Sequence, residues 1–507
     1  MPTGKTKPSI AKNAAFLYLR MLLTMFVSLY TSRVVLNALG FEDYGIYNVV
    51  GGFVVMFNVV CTGLASTTQR FITYEIGQGD RYKLNRTFSS CVIIYASLSL
   101  VIIILAETLG LWFFENKMVV PVERHSAAQW AYQFALLTLV VNLVSIPYNA
   151  LIIAYERMQA FAYISIYEVS AKLIIAYLVS ICPYDKLITY AILMCAIQIS
   201  IRVIYGTYCK KNFSASKVVL HYDWNQIKEI YGFAKWAMFG GMASIGFTQG
   251  LNILLNMFFG PTINAARGIA VQVQSTVNSF ALNFQTAVNP RIIKSYAERN
   301  LTYMYKLVFI SSKFSFLLLF VICLPLLIET EFILKIWLKN VPEYTAIFLR
   351  LIMVTTIVDA MANPFMRVAE ATGNIRRYQV VLGIILLMIV PISYFALKLG
   401  CIPSSVFIVH IVISLVAFCV RLYIVKSLVD FSIKTFLKTV IFRVFSIGVL
   451  SPIVPLVVYS NMNEGFLRFV VVIVLSILVM IALTWYLALE HEERQIAMEK
   501  IKSICSK

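Results

Sequence analysis

Charged residues are scarce in this chain, and acidic residues are the scarcer kind. Of 507 residues, 13% are Asp, Glu, Lys or Arg, with 24 acidic against 43 basic side chains, whereas 60% are hydrophobic. This composition lies far outside the usage of soluble globular domains. The sequence therefore predicts a polytopic membrane protein.

The motifs that usually accompany catalysis are also absent from the sequence. It has no phosphate-binding G-x-x-x-x-G-K-[ST] loop, no H-E-x-x-H, no D-x-D, no C-x-x-C and only 4 histidines. ATP hydrolysis and metal catalysis are not indicated, and no metal site is expected. The predicted outward loops are short, which argues against a membrane glycosyltransferase, polymerase or ligase with its catalytic residues on a large outward loop.

Apolar runs long enough to cross a hydrocarbon core of about 30 Å occur about fourteen times. They lie at about 13–37, 43–66, 87–114, 128–148, 158–182, 187–209, 231–259, 265–290, 301–328, 344–364, 375–398, 403–426, 436–460 and 465–489. The predicted fold class is an all-α polytopic membrane protein with about 14 transmembrane helices.

The first twelve predicted spans contain a repeat. The segment Leu36–Gly40, followed by Gly45, reappears loosely as Leu255–Gly260, followed by Gly268. Nearly the same offset of about 220 residues relates two further pairs, which are Pro147 with Pro364 and Ala154 with Ala371. We interpret this as two parallel six-helix lobes, at 1–215 and 216–430, followed by two additional helices at 431–489 and a tail at 490–507.

Lys and Arg lie mainly in the loops of one side, as in the polar break that contains Lys210, Lys211 and Lys217. Because positive loops stay in the cytoplasm, both termini are predicted to be cytoplasmic. The net charge of +19 is explained by topology and by attraction to anionic membrane lipid, so no nucleic-acid partner is expected.

Polar residues that share one face of a span are the candidates for a cargo site. The candidate substrate-cavity residues are Arg20 and Thr24 on the first span, Lys235, Gln249 and Asn256 on the seventh, and Arg267, Gln274, Asn278 and Gln285 on the eighth. A single amide in a membrane usually makes a hydrogen bond between helices. A continuous stripe with an arginine at one end instead predicts a hydrophilic passage between the lobes.

Two carboxylates inside the spans are candidates for binding a coupling ion. Glu168 precedes Lys172 by one helical turn, so the two can also form an intrahelical ion pair. Asp359 has no obvious basic neighbour in sequence and is a candidate for a proton or sodium site. Apart from such proton or sodium coupling, no cofactor is expected.

The segment after the first span resembles a family signature. It reads Leu39-Gly40-Phe41-Glu42-Asp43-Tyr44-Gly45-Ile46-Tyr47 and is preceded by Arg33. It is similar to the L-G-x-x-x-Y-G-x-Y pattern of Wzx-type polysaccharide flippases, in the superfamily that also contains multidrug and toxic compound extrusion transporters. The resemblance covers essentially the whole chain and implies a V-shaped helix bundle with a central cationic cavity.

The resemblance also implies a function. Such flippases are transporters and not enzymes, and they move an undecaprenyl-diphosphate-linked oligosaccharide to the outer leaflet of the bacterial inner membrane for O-antigen or other surface polysaccharide. The expected partners are this lipid-linked oligosaccharide, membrane lipid, and the polysaccharide polymerase and chain-length proteins. A cation-coupled multidrug or metabolite exporter of the same fold is the alternative, and an apolar, acidic cavity would favour it.

Overall fold

The computed structural model describes residues 10–55, 58–117, 121–217, 224–338, 341–490, 493–495 and 498. These ranges form helices joined by short turns and contain no β-strand. Backbone groups that cannot reach water must be paired within the chain, and helices achieve this within each segment. The predicted all-α fold class is therefore confirmed.

The helices follow one another with few intervening residues. In chain order they are α1 (Ile10–Val55), α2 (Asn58–Gln78), α3 (Arg81–Leu105), α4 (Leu111–Lys117), α5 (His125–Ala154), α6 (Met158–Ile181), α7 (Lys186–Asn212), α8 (Trp224–Ala297), α9 (Leu301–Ile328), α10 (Thr330–Leu338), α11 (Thr345–Thr372), α12 (Arg376–Leu387), α13 (Ile389–Lys398), α14 (Ser405–Val429), α15 (Ile433–Phe436), α16 (Phe442–Leu450), α17 (Ile453–Asn461) and α18 (Phe466–Leu483).

Within the described ranges, 11 helical stretches are long and apolar enough to cross a membrane. Their lengths run from 23 to 37 residues, and about 20 residues suffice to span a bilayer. The protein is therefore a multi-pass membrane protein. The count of fourteen spans stays a prediction, as do the inner-membrane location and the orientation of the termini.

Two glycines interrupt the longest helices at positions that the sequence repeat matches. Gly40 divides α1 at φ 79° and ψ 172°, and Gly260 divides α8 at φ 79° and ψ −174°. Side chains with a Cβ rarely adopt this left-handed φ, which explains the glycine at both positions. Each long helix therefore consists of two segments that meet at a sharp change of direction.

The chain divides into two compact units. Unit 1 comprises residues 1–242 and 293–300, and unit 2 comprises residues 243–292 and 301–507. Both ends of α8 thus belong to unit 1, whereas its central part belongs to unit 2. The predicted domain boundaries at 215, 430 and 489 stay a prediction.

In unit 1, α1 packs along α6 and α5 packs along α7. The end of α2 closely approaches the end of α8. A Cβ added to Gly77 would lie 2.6 Å from the Cβ of Ala297 and 2.9 Å from the carbonyl oxygen of Lys294. Next to it, the side-chain amide of Gln78 donates to the carbonyl of Ala297 at 2.7 Å. Only a glycine permits this contact between the helices.

In unit 2, α11 packs against α9 and α14. The ring of Phe365 on α11 is buried against Phe431 and Phe436, with centroid distances of 5.6 Å and 4.9 Å. A buried ion pair joins the last helix to the end of α9. Nε and Nη2 of Arg468 donate to the two carboxylate oxygens of Glu329 at 2.8 Å and 2.9 Å.

Candidate functional site

Unit 1 contains a polar cavity of about 210 Å³ between α5, α6 and α7. Its polar lining consists of Asn142, Ser145, Asn149, Glu168, Gln198 and Tyr205. Burying amide and carboxylate groups without hydrogen-bond partners has a large free-energy cost in hydrocarbon. A cavity with this lining is therefore suited to hold water or a small cation.

Glu168 is the only carboxylate among the described residues that line this cavity. Its carboxylate accepts from Nζ of Lys172 at 2.6 Å and from the amide of Gln198 at 3.4 Å. The intrahelical pair that the sequence spacing allowed is therefore formed. Glu168 also acts electrostatically on Arg20, whose guanidinium lies 4.6 Å from the ring centre of Phe161. Two cations thus surround one acid in this part of unit 1.

The remaining predicted residues of unit 1 lie apart from the cavity lining. The hydroxyl of Thr24 donates to the carbonyl of Met21 at 3.0 Å, so it is engaged by its own helix. Lys235 is exposed, and its ammonium lies 5.2 Å from the ring centre of Trp236. An exposed lysine on a membrane helix is free to meet either a headgroup or a cargo.

Arg267 is the central charged residue of the candidate site in unit 2. Only 5% of its surface is exposed. Nη1 donates to the side-chain oxygen of Asn252, and Nη2 donates to the carbonyl of Thr248 at 2.9 Å. Among the described residues no carboxylate forms an ion pair with Arg267, and its Nε has no hydrogen-bond partner. The positive charge is therefore held by neutral groups.

The predicted polar residues on the second segment of α8 differ in their contacts and burial. The amide of Gln285 is buried and donates to Ser315 at 2.9 Å and to the carbonyl of Ala360 at 2.8 Å. Gln274 donates to the hydroxyl of Thr356 at 3.0 Å. Both side chains thus bind neighbouring helices of unit 2, whereas Asn278 is half-buried.

Two predicted residues on the first segment of α8 are exposed. The side-chain oxygen of Gln249 accepts from the amide of Asn252 at 2.9 Å, so Gln249 extends the network that holds Arg267. Asn256 lies at the exposed end of this face. Gln249 and Asn252 thus place amide groups beside the buried guanidinium.

Asp359 is half-buried on α11 and has a histidine neighbour that sequence reasoning missed. Asp359 and Arg267 both act electrostatically on His410 of α14, and the ring of Phe247 lies 5.2 Å from its imidazole. Nε2 of His410 is buried and has no hydrogen-bond partner within the described part of the chain. The only sequence signal was that a histidine inside an apolar span is rare.

Asp43, one of the two acidic residues of the family-like segment, has a structural partner. Nε and Nη2 of Arg124 donate to the two carboxylate oxygens of Asp43 at 2.8 Å and 2.5 Å, and Nη1 donates to Asp185 at 2.6 Å. Burial raises the pKa of Asp185, but the bonds from Arg124 and the N–H of Ile188 outweigh it and hold the pKa below its ordinary value. One arginine therefore joins α1 to the turn before α7.

The described residues contain no group of three or more His, Cys, Asp or Glu side chains placed to hold a metal ion. In sequence, no model of a known protein family and no curated protein matches the chain. Solved structures do match it. An outward-facing multidrug resistance MATE family transporter of the MOP superfamily superposes with a TM-score of 0.68 at 16% identity, over 85% of this chain and 99% of its own.

The chain has the MATE transporter fold. A MOP superfamily transporter from Pyrococcus furiosus Vc1 matches with a TM-score of 0.67 and 14% identity, over 85% of this chain and 100% of its own. The MATE transporter ClbM, solved with Rb+, matches with a TM-score of 0.68 and 14% identity, over 84% of this chain and 96% of its own. These neighbours share the fold at 14–16% identity, and the Wzx-type resemblance stays a prediction.

On this MATE fold, the polar groups within the membrane spans form two separate sets. Unit 1 contributes a polar cavity with one carboxylate in its described lining and two cations near that carboxylate. Unit 2 contributes an arginine that amide and carbonyl groups hold. The first arrangement can exchange a proton or bind a cation, and the second can bind an anion.

Proposed function

We propose that this protein is a secondary transporter that flips an undecaprenyl-diphosphate-linked oligosaccharide from the cytoplasmic to the outer leaflet of the inner membrane. Its proposed mechanism is alternating access. The observation that carries the proposal is the buried guanidinium of Arg267, which has no carboxylate partner among the described residues.

A positive charge in a membrane span costs about 2.5–3.5 kcal/mol at the helix centre. A permanent ion pair would offset part of this cost, but Asn252 and Thr248 supply neutral oxygens instead. Such an arginine remains able to bind an anion, and guanidinium and phosphate form strong charge-assisted hydrogen bonds. An anionic cargo therefore accounts for Arg267 better than a cationic drug does.

The diphosphate and the sugars of the proposed cargo make different demands. The diphosphate needs cations, and Arg20, Lys235 and Arg267 are the proposed ligands. The sugars need amides, which Gln249 and Asn256 offer on exposed surface. The polyprenyl chain can stay in lipid throughout. With an inside-negative potential, outward movement of each negative charge gains about 2.3 kcal/mol per 100 mV.

We propose Glu168 and Asp359 as coupling residues for a proton or a sodium ion. Glu168 lines a polar cavity of about 210 Å³ and has two cationic neighbours, so its protonation would release Lys172 and change the field at Arg20. Asp359 and Arg267 both act electrostatically on His410. We propose that the charge of Asp359 is coupled through this histidine to the proposed anion site.

A cation-coupled multidrug or metabolite exporter is the second candidate. Its supporting observations are the fold itself and the carboxylate of Glu168 in a polar cavity. The neighbour ClbM was solved with Rb+. For the neighbour from Pyrococcus furiosus Vc1, a reversed polarity of the binding pocket has been taken to suggest a different function. Pocket charge is therefore a reasonable criterion for choosing between the two candidates.

The test is a leaflet assay with the purified protein in proteoliposomes. A fluorescent polyprenyl-diphosphate-linked oligosaccharide is placed in both leaflets, and a membrane-impermeant quencher reports the fraction that changes sides. The proposal expects protein-dependent exchange of this lipid and none of a cationic dye. Exchange of the dye alone would refute the flippase and support the exporter.

Arg267 gives this assay a matched set of variants. Arg267→Gln should slow lipid exchange about tenfold or more, because it removes a charged hydrogen-bond donor to the diphosphate. Arg267→Lys should retain part of the rate. Arg350→Gln is the control, since this half-buried arginine of unit 2 already faces Glu331 at 3.4 Å. Equal rates for Arg267→Gln and Arg350→Gln would contradict the assigned role.

A further inference from the structure

A buried proline interrupts the backbone hydrogen bonding of α11 in unit 2. Pro364 lies inside this helix and has no backbone N–H, so the carbonyl of Ala360, one turn earlier, has no donor from its own helix. Only 1% of the surface of Ala360 is exposed. A backbone carbonyl that neither water nor its own helix can bind requires a donor from a neighbouring helix.

Gln285 of α8 supplies this donor. Its Nε2 donates to the carbonyl of Ala360 at 2.8 Å and to the hydroxyl of Ser315 on α9 at 2.9 Å. Its Oε1 accepts from the side-chain amide of Asn363 at 3.5 Å. Both hydrogens and the oxygen of this buried amide are therefore engaged within unit 2, and one hydrogen replaces the N–H that Pro364 lacks.

The next carbonyl of α11 also binds a side chain from another helix. The hydroxyl of Ser312 on α9 is fully buried and donates to the carbonyl of Met361 at 2.7 Å. A proline ring crowds the turn that precedes it and disturbs the hydrogen bonds there. Two consecutive carbonyls before Pro364 are thus bound by side chains of α8 and α9.

A second glutamine of α8 contacts α11 in a different way. Gln274 donates to the side-chain hydroxyl of Thr356 at 3.0 Å, and that hydroxyl donates to the carbonyl of Ile352 at 2.8 Å. Gln274 therefore joins α8 to α11 without completing the backbone of either helix. Gln285 and Gln274 share a helix and a neighbouring helix, but of the two only Gln285 binds the carbonyl that Pro364 leaves open.

We propose that Pro364 makes α11 a hinge and that Gln285 is the positioning residue that holds this hinge. While Gln285 binds the carbonyl of Ala360, the parts of α11 before and after the proline are held together. When it withdraws, the two parts can turn relative to each other. Asp359 directly precedes Ala360, and Arg267 lies on the same segment of α8 as Gln285. A role of the hinge in coupling these two residues rests on the proposed function, whereas the hinge itself does not.

The first experiment measures amide hydrogen exchange of the full-length protein in detergent by mass spectrometry. Gln285→Leu removes the donor and should speed exchange in peptides from residues 361–372 about tenfold, because a buried acceptor loses its partner. Pro364→Ala restores a backbone N–H for the carbonyl of Ala360. In that background, Gln285→Leu should change the exchange rate about twofold or less. Equal effects of Gln285→Leu in both backgrounds would overturn the proposal.

Gln274→Leu is the matched control, since its hydrogen bond does not involve the backbone of α11. Its effect should be the same with and without Pro364→Ala. Rescue of Gln274→Leu by Pro364→Ala would show that the rescue is not specific to the carbonyl of Ala360, which contradicts the proposal. If Gln285→Leu does not fold, Pro364→Ala alone must slow exchange of the same peptides, and the absence of slowing would overturn the hinge.

The second experiment separates a hinge from a bond that only stabilises the fold. Pro364→Ala keeps Gln285 in place and should unfold no earlier than wild type, yet it should slow lipid movement in the leaflet assay about tenfold, because α11 becomes a continuous helix. A wild-type rate in this variant would overturn the hinge. If the wild-type protein moves no lipid, the proposed function fails, and the amide-exchange cycle then decides on the hinge alone.

Discussion

Removal of the Arg468 side chain should loosen the packing of the last helices on the rest of unit 2. The guanidinium makes two hydrogen bonds, at 2.8 Å and 2.9 Å, to Glu329, and the two side chains are 9% and 0% exposed. It also lies 4.3 Å from the ring centre of Tyr459, so the arginine contacts both α17 and the end of α9. Arg468→Gln leaves the carboxylate of Glu329 buried without its cation.

Breaking a buried ion pair by removing one partner typically costs about 3–5 kcal/mol, whereas replacing both partners by neutral groups is often close to neutral. We therefore expect a large fall in the midpoint of thermal unfolding for Arg468→Gln and recovery of most of it in Glu329→Gln/Arg468→Met. Unfolding of the purified protein in detergent can be followed by tryptophan fluorescence.

The exposed pair of Lys335 with Glu464 is the matched control. Its ions are 2.7 Å apart, but the side chains are 56% and 49% exposed. Water and salt screen such pairs, so Glu464→Gln should leave the unfolding midpoint nearly unchanged. If Arg468→Gln unfolds no earlier than Glu464→Gln, the pair with Glu329 does not stabilise the attachment of the last helices.

Two further predictions concern unit 1. Gly77→Ala should lower the free energy of unfolding by about 1–3 kcal/mol through overpacking, because its Cβ would lie 2.6 Å from the nearest atom of α8. Gly232→Ala is the control and should be neutral or slightly stabilising, since a Cβ there meets nothing within 4 Å. Equal unfolding midpoints for the two variants would contradict the prediction. Arg124 lowers the pKa of Asp185, so the ion pair contributes its full stabilisation above the ordinary carboxyl pKa of about 3.9. This stabilisation is lost as the pH falls through the lower pKa that Asp185 has in the folded protein. Asp185→Asn should therefore lower the midpoint of thermal unfolding at pH 7. If the variant unfolds below wild type by the same margin at pH 3, the stabilising role of the Arg124–Asp185 pair is refuted.

Hydropathy predicted the apolar helices closely. The run predicted at 301–328 is the helix Leu301–Ile328, and the run at 158–182 is the helix Met158–Ile181. Length and apolar composition determine such segments, because a helix is the form in which a single segment can pair its backbone in lipid. The pair of Glu168 with Lys172 was equally accessible, since residues four apart face each other on a helix.

Contacts between distant helices could not be predicted in the same way. A helical wheel assigns a residue to a face but says nothing of which helix that face meets. Glu329 with Arg468 and Lys313 with Glu493 are separated by 139 and 180 residues, and neither pair was foreseen. Lys313 itself carried a usable signal, since a lysine inside a span is rare and expected to have a role.

The division of α8 between the two units affects the order in which the protein can be completed during synthesis. Most residues of unit 1 precede residue 243, but the unit also includes residues 293–300, which are synthesised later. When the first 242 residues leave the ribosome, the helix end that packs on Gly77 and Gln78 has not yet been made. Unit 1 must therefore wait for the first fifty residues of unit 2, from 243 to 292, before it can close. A gene split at the predicted repeat boundary, after residue 215, would produce a first half that lacks residues 216–242 and 293–300 of unit 1.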